Sequence, residues 1–173
     1  GRCIDEKAIV NAVVGLLATG GSTNHAIHLP AIARAAGIIL DWADFDRLSA
    51  VVPQVAKVYP NGKADVNHFH AAGGLGFLIG QLLEAGLLHP DVRTVAGDGL
   101  DRYTAEPRLE GDALTWVPGA GESLNDRILR PAAALPEQSF LIGGNGWETK
   151  AMPANVRHRG HVGTAEHNAF NCT

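Results

Sequence analysis

The placement of glycine limits how this chain can fold more than any other feature. Glycine fills 21 of 173 positions, about 12% where roughly 7% is usual, and it stands at punctuation points. Thr19-Gly20-Gly21 closes one apolar periodic stretch, Gly37 a second and Gly86 a third, and glycine just past a helix adopts left-handed backbone without a steric penalty. The spacing predicts a helix over 5–17, with Asp5 and Glu6 in its first turn and Ile9, Ala12, Val13, Leu16 and Leu17 on one face. A second helix is predicted from Ser22-Thr23-Asn24 to Ala36; Pro30 lies inside it, and either kinks it or marks its true start. The longest apolar candidate covers 67–85, where Gly73, Gly76 and Gly80 fall three and four apart on one face. Glycine weakens a helix, so this face is expected to lie close against another backbone.

Shorter elements fill the gaps. A helix is expected over 41–50 with Asp44 and Asp46 near its start, and short strands over 38–40, 92–96 and 113–117. Residues 53–59 fit strand or helix, Pro60-Asn61-Gly62 is a turn, and 125–135 reads as a helix interrupted by Pro131. Alternating helices and short strands point to an α/β domain over 1–135. From 136 to 173 no period persists, and an irregular or poorly ordered tail is expected.

Composition excludes several classes. Hydrophobic residues at 46% supply a sizeable core, while charged residues at 18% are few. A formal net charge of −4 argues against a nucleic acid or an anionic membrane held by bulk electrostatics. No run reaches the ~20 apolar residues of a membrane span. Cys3 and Cys172 are too few for a disulfide scaffold and sit in no ligand spacing, so a cytoplasmic setting is expected. With Met152 the sole methionine and Gly1 opening on polar text, the chain is expected to be a processed product or a fragment.

Two segments carry candidate chemistry. In Gly20-Gly21-Ser22-Thr23-Asn24-His25, the glycines allow close backbone approach and Ser, Thr and Asn are good helix caps. The N–H groups at the following helix start suit a phosphate or carboxylate; the plainer reading is a well-capped turn between helices. There is no Walker lysine. His25 and His28 share a helix face, but no third metal ligand follows at a recognisable spacing, so a structural pair or one pocket residue beside one core histidine is expected, and no metal site. In the second segment, Lys63, Asn67, His68 and His70 crowd a turn and helix start and could receive an anionic, hydroxylated substrate; a capped, solvent-facing helix start explains them equally well.

These same residues resemble a known family. Ala18-Thr19-Gly20-Gly21-Ser22-Thr23-Asn24-His25 and His28-Leu29-Pro30-Ala31-Ile32-Ala33-Arg34-Ala35-Ala36-Gly37-Ile38 are similar to the dihydroxy-acid dehydratase and phosphogluconate dehydratase family. The run from Val58-Tyr59-Pro60-Asn61-Gly62-Lys63 to Asn67-His68-Phe69, and that from Glu84-Ala85-Gly86 to Arg102-Tyr103-Thr104, resemble its phosphogluconate branch. The likeness runs from about residue 4 to about 131. It implies part of the N-terminal, cluster-binding domain of a cytoplasmic, homodimeric hydro-lyase of the Entner–Doudoroff pathway. Such an enzyme removes water from 6-phospho-D-gluconate to give 2-dehydro-3-deoxy-6-phosphogluconate, with a 4Fe-4S cluster accepting the departing hydroxyl and a base taking the C2 proton.

By the same resemblance, the cluster cysteines and the base lie outside this chain, Cys3 does not sit in their motif, and no catalytic residue is assigned. The substrate-side candidates are Gly20, Gly21, Ser22, Thr23, Asn24, His25, Lys63, Asn67 and His68. Beyond residue 135 the text, including Gly143-Gly144-Asn145-Gly146-Trp147, departs from the family pattern, and a frame change there is one expectation. The alternatives are a dehydratase for another sugar acid or dihydroxy acid, or a non-catalytic remnant; the lone chain is expected to be inactive.

Overall fold

The first helix sets the frame. α1 is Glu6–Thr19, capped by Asp5, whose side chain accepts the Ala8 N–H at 2.8 Å. Ile9, Val13, Leu16 and Leu17 are buried as the apolar spacing expects, Ala12 only partly so, and Val14 and Ala18 are buried with them. Each such aliphatic side chain contributes about 1.5–3 kcal/mol on burial. The computed structural model describes residues 2–59 and 61–135. The expected tail over 136–173 and its departure from the family lie outside these.

α1 packs against α2, Thr23–Ala35, and α3, Trp42–Ser49. α2 runs unbroken through Pro30, so the helix starts before the proline and not at it. It buries Ala26, Leu29 and Ala33 and closes on Gly37 at φ +79°, with the Ile38 N–H bonded to the Ala33 carbonyl at 2.9 Å. α3 opens on a reciprocal capping box between Asp41 and Asp44. It buries Phe45 completely, tilted against Trp42 with ring centroids 5.2 Å apart. The strand expected over 38–40 is absent from the described residues: Ile39 is 91% exposed and the stretch joins no strand or bridge.

Residues 53–58 form an extended crosspiece and not a helix, buried over 53–56, while Tyr59 turns away and is 81% exposed. Its Ala56 N–H bonds the Ala18 carbonyl at the end of α1, while Lys57 N–H and Val55 carbonyl bond Ile128 and Arg130. That pairing explains why the helix expected over 125–135 does not form. Its backbone groups serve the crosspiece, Asn125 makes a turn to the Arg127 N–H, and only a 3₁₀ turn at Ala132–Ala134 remains.

The long helix expected over 67–85 is two helices, α4 (Val66–Ala71) and α5 (Gly74–Glu84). Gly73 and Gly74 have φ of +129° and +60°, conformations closed to most side chains, and the Leu124 N–H takes the Ala72 carbonyl at the break. A close backbone approach exists at Gly76, where a Cβ would stand 3.1 Å from the Thr104 carbonyl oxygen; at Gly80 the space is open.

Two antiparallel hairpins complete the described chain: β1 (Arg93–Thr94) with β2 (Gly97–Asp98), and β3 (Ala105–Glu110) with β4 (Ala113–Pro118). The content is mixed helix and strand, as expected, but these strands form separate ribbons and no parallel sheet among the described residues. β4 falls where a strand was expected; β3 did not register in the sequence because Glu106, Pro107, Arg108 and Glu110 mask it. No described helix is long and apolar enough to cross a membrane.

Phe45→Ala is expected to cost about 3–5 kcal/mol through the cavity it leaves, whereas Leu109→Lys, at a side chain 71% exposed, should stay within about 0.5 kcal/mol. Urea unfolding of the two variants checks both, and equal midpoints would contradict this account of the core.

Candidate functional site

Only Gly20, Gly21 and Ser22 separate α1 from α2. Gly20 takes φ +59° and ψ 44°; its N–H bonds the Leu17 carbonyl at 3.1 Å, and the Gly21 N–H bonds that of Leu16 at 3.1 Å. The helix thus ends in the paired arrangement glycine favours. Ser22 stands at the N-cap of α2 in extended conformation without a side-chain cap bond, and Asn24 and His25 are exposed on the first turn. The buried Gly20 lies against the second segment: the Asn61 Nδ2 group donates to the Gly20 carbonyl oxygen.

That bond brings the two segments together. The turn after it is held by Gly62 N–H on the Val58 carbonyl and Tyr59 N–H on the Ala64 carbonyl, both 2.8 Å. Lys63, two residues beyond Asn61, is exposed and makes no ion pair among the described residues. Asn67 and His68 stand at the start of α4 and make no hydrogen bond to residues 20–25 among the described residues. His68 instead closes a capping box with Asp65, which accepts its backbone N–H at 3.0 Å. That N–H, the charge of the His68 ring and the side-chain bond hold the Asp65 carboxyl below its ordinary range.

His25 folds over the glycine turn, so that a Cβ on Gly21 would stand 3.6 Å from its Nδ1 atom. Although the residue is exposed overall, partial desolvation of the ring, followed by the charge of His28, lowers its pKa from 6.5. Neither His25 nor His28 is a core histidine, since both sit on the exposed face of α2.

A well-formed pocket among the described residues lies elsewhere. It has a volume of about 640 Å³ between the start of α5 and the β3–β4 ribbon, walled by Leu75, Pro107 and Trp116 with Arg102 and His70. None of the nine substrate-side candidates lines it. Asn61 is the residue that sequence reasoning left out of the site: it opens the second segment and lies in the run that carries the resemblance, but its type there speaks only for a Pro-Asn-Gly turn, and its reach to Gly20, 41 residues away, has no local signal.

With this geometry in hand, comparison with known proteins defines the class. The chain belongs to the dihydroxy-acid/6-phosphogluconate dehydratase family, whose N-terminal domain matches residues 1–103. Among curated relatives it is 66% identical over 128 residues to a phosphogluconate dehydratase of Pseudomonas aeruginosa, covering 74% of this chain and 21% of that protein. It is 51% identical over 176 residues to the phosphogluconate dehydratase of Rhizobium meliloti, covering 99% of this chain and 29% of that protein. A dihydroxy-acid dehydratase of Trichodesmium erythraeum is 39% identical over 130 residues, 75% of this chain and 21% of its own length. The chain therefore spans between about a fifth and three-tenths of the length of these relatives.

The His25 ring is expected to titrate below 6.5 by NMR, and His28→Asn to restore part of the shift. The folded chain then holds fewer protons at this ring than the unfolded chain. Stability therefore falls as pH drops from 6.5 to the lowered pKa, and His25→Gln should lose that slope. Identical pH slopes in the two proteins would contradict the assignment.

Proposed function

We propose that this chain is the substrate-side part of a phosphogluconate dehydratase, which converts 6-phospho-D-gluconate to 2-dehydro-3-deoxy-6-phosphogluconate and water. The observation that carries the reading is the gap in similarity: 66% and 51% identity to phosphogluconate dehydratases against 39% to a dihydroxy-acid dehydratase. In this reading the N–H groups of Ser22, Thr23 and Asn24 at the α2 start face a phosphate or carboxylate, Gly20 and Gly21, whose own N–H groups turn back onto α1, let the ligand come close, and Lys63 adds a positive charge from the neighbouring turn. His25, whose pKa burial and His28 lower, is biased towards its neutral form and so offers hydrogen bonds to hydroxyls more than charge. Asn67 contributes polar contacts; His68 keeps its cap to Asp65 and presents its outer ring edge. A cytoplasmic homodimer accompanies this reading through the family resemblance.

The family's iron–sulfur cluster does not fit the described residues. Cys3, half-buried, is the lone described thiol, and no three His, Cys, Asp or Glu side chains stand together among them. The contribution proposed for this chain is binding and orientation of the substrate, with its anionic groups fixed so that C2 and C3 face chemistry supplied from elsewhere in the enzyme.

A chimera tests the proposal: the matched 128-residue stretch of the Pseudomonas aeruginosa protein is replaced by the corresponding residues of this chain. Turnover of 6-phosphogluconate is expected to survive, with none on 2,3-dihydroxyisovalerate; the opposite preference would overturn the substrate class. In the same chimera Lys63→Gln is expected to raise KM about tenfold, equivalent to ~1.4 kcal/mol, with kcat changed less.

A further inference from the structure

We propose that Asn61 is a positioning residue: its side-chain amide fixes the turn at residues 20–24 against the Lys63 turn and so sets the spacing of the two anion-facing segments. The proposal rests on the reading of those segments given above. Its physical basis is a carbonyl at the end of α1 that the helix cannot use, that of Gly20. The N–H groups of Gly20 and Gly21 turn back onto Leu17 and Leu16, which leaves the Gly20 carbonyl directed away from the helix. Asn61 supplies its donor. A carbonyl oxygen can be faced only by the NH₂ side of the amide, so the residue type matters as well as its shape.

The approach is possible because residue 20 has no side chain. A Cβ there would stand 2.5 Å from Gln54 Nε2 and nearer still to Asn61 Nδ2. Since three residues join α1 to α2, the Gly20–Gly21 peptide plane controls where the α2 start points. Fixing its carbonyl therefore fixes the direction of the N–H groups that follow. Asn61 also lies on the turn that carries Lys63, and that turn is closed independently by the Val58–Gly62 and Tyr59–Ala64 bonds. A backbone bond, Ala56 N–H to the Ala18 carbonyl at 3.0 Å, holds the crosspiece to α1 whatever side chain stands at 61. Replacing Asn61 is thus expected to release the turn while the fold persists.

N61D is nearly isosteric with the native residue and replaces the donor by an oxygen. By ¹H–¹⁵N NMR of the 173-residue chain, N61D and N61A are expected to move the amide signals of Gly21, Ser22 and Asn24 and to speed their hydrogen exchange at least about tenfold, while the α3 and α5 signals stay in place. Acidification separates positioning from general packing. In N61D the new carboxyl becomes an O–H donor once protonated, so the Gly21 and Ser22 signals should return towards wild-type positions below about pH 4, whereas those of N61A should not. Unmoved turn signals in N61D, or no difference between the two variants on acidification, would overturn the proposal. A titration with 6-phosphogluconate distinguishes the underlying reading: turn signals that move in the variants, in a wild-type chain that shows no response to the ligand, would refute anion binding and leave the positioning role standing.

Discussion

The end of α1 is the constraint on which the remaining described structure depends. Val13, Leu16, Leu17 and Ala18 are fully or almost fully buried, so the helix cannot shift along its axis without exposing its most apolar turn. With that turn fixed, its terminal carbonyls become fixed acceptors, and the chain distributes them in order. Leu16 and Leu17 take the two glycine N–H groups, Ala18 takes Ala56, and Gly20 takes Asn61. The crosspiece at 53–58 is extended because its neighbours on both sides, α1 and residues 128–130, present backbone partners that only an extended strand can reach. One buried helix end thereby places the polar turn, the crosspiece and the Lys63 turn together.

How much of this was legible in the sequence follows from how local each cause is. α1, α2 and α3 were readable because cap, apolar period and terminator all lie within about fifteen residues: Asp5 and Gly20 bracket one, Ser22 and Gly37 the next, Asp41 starts the third. Pro30 did not end α2. The helix continues through it to Ala35 although proline supplies no N–H there. The failures share the opposite property. Gly73 looked like a member of a small-residue helix face, and its positive φ is demanded by the Ala72–Leu124 contact across more than fifty residues. Residues 125–135 have helical composition, yet their backbone groups are claimed by Val55 and Lys57. Strand β3 is stabilised by register with β4, which places Pro107 opposite Trp116 and Leu109 opposite Leu114, and a charged, proline-containing run gives no hint of that pairing.

The candidate site divides along the same line. The glycine turn and the Lys63 turn could each be picked out from residue types, because glycine pairs, helix caps and a solitary lysine have local meaning. Their adjacency could not, since it depends on a tertiary bond from Asn61. The His68 ring shows the converse: its neighbourhood suggested a ligand contact, and the structure gives one ring nitrogen to Asp65, leaving a smaller part of the side chain for anything else.

If the turn at residues 20–24 receives an anion as proposed, glycine richness and low charge together fit a particular way of holding it. A chain with net charge −4 repels a phosphorylated acid at long range, and a cluster of lysines would be the simplest correction. Here the candidate site has one described lysine and a turn built from backbone. Oriented N–H groups carry no ionisable proton, impose little long-range repulsion on one another and keep their direction at any pH. Their weakness is that direction is everything, since a peptide plane rotated by a few tens of degrees no longer faces the ligand. A backbone anion site therefore requires a rigid support more than a lysine site does. The glycine that permits close approach also removes the steric bulk that would supply rigidity. That conflict is resolved when a side chain from a distant turn holds the freed carbonyl, which is the place Asn61 occupies.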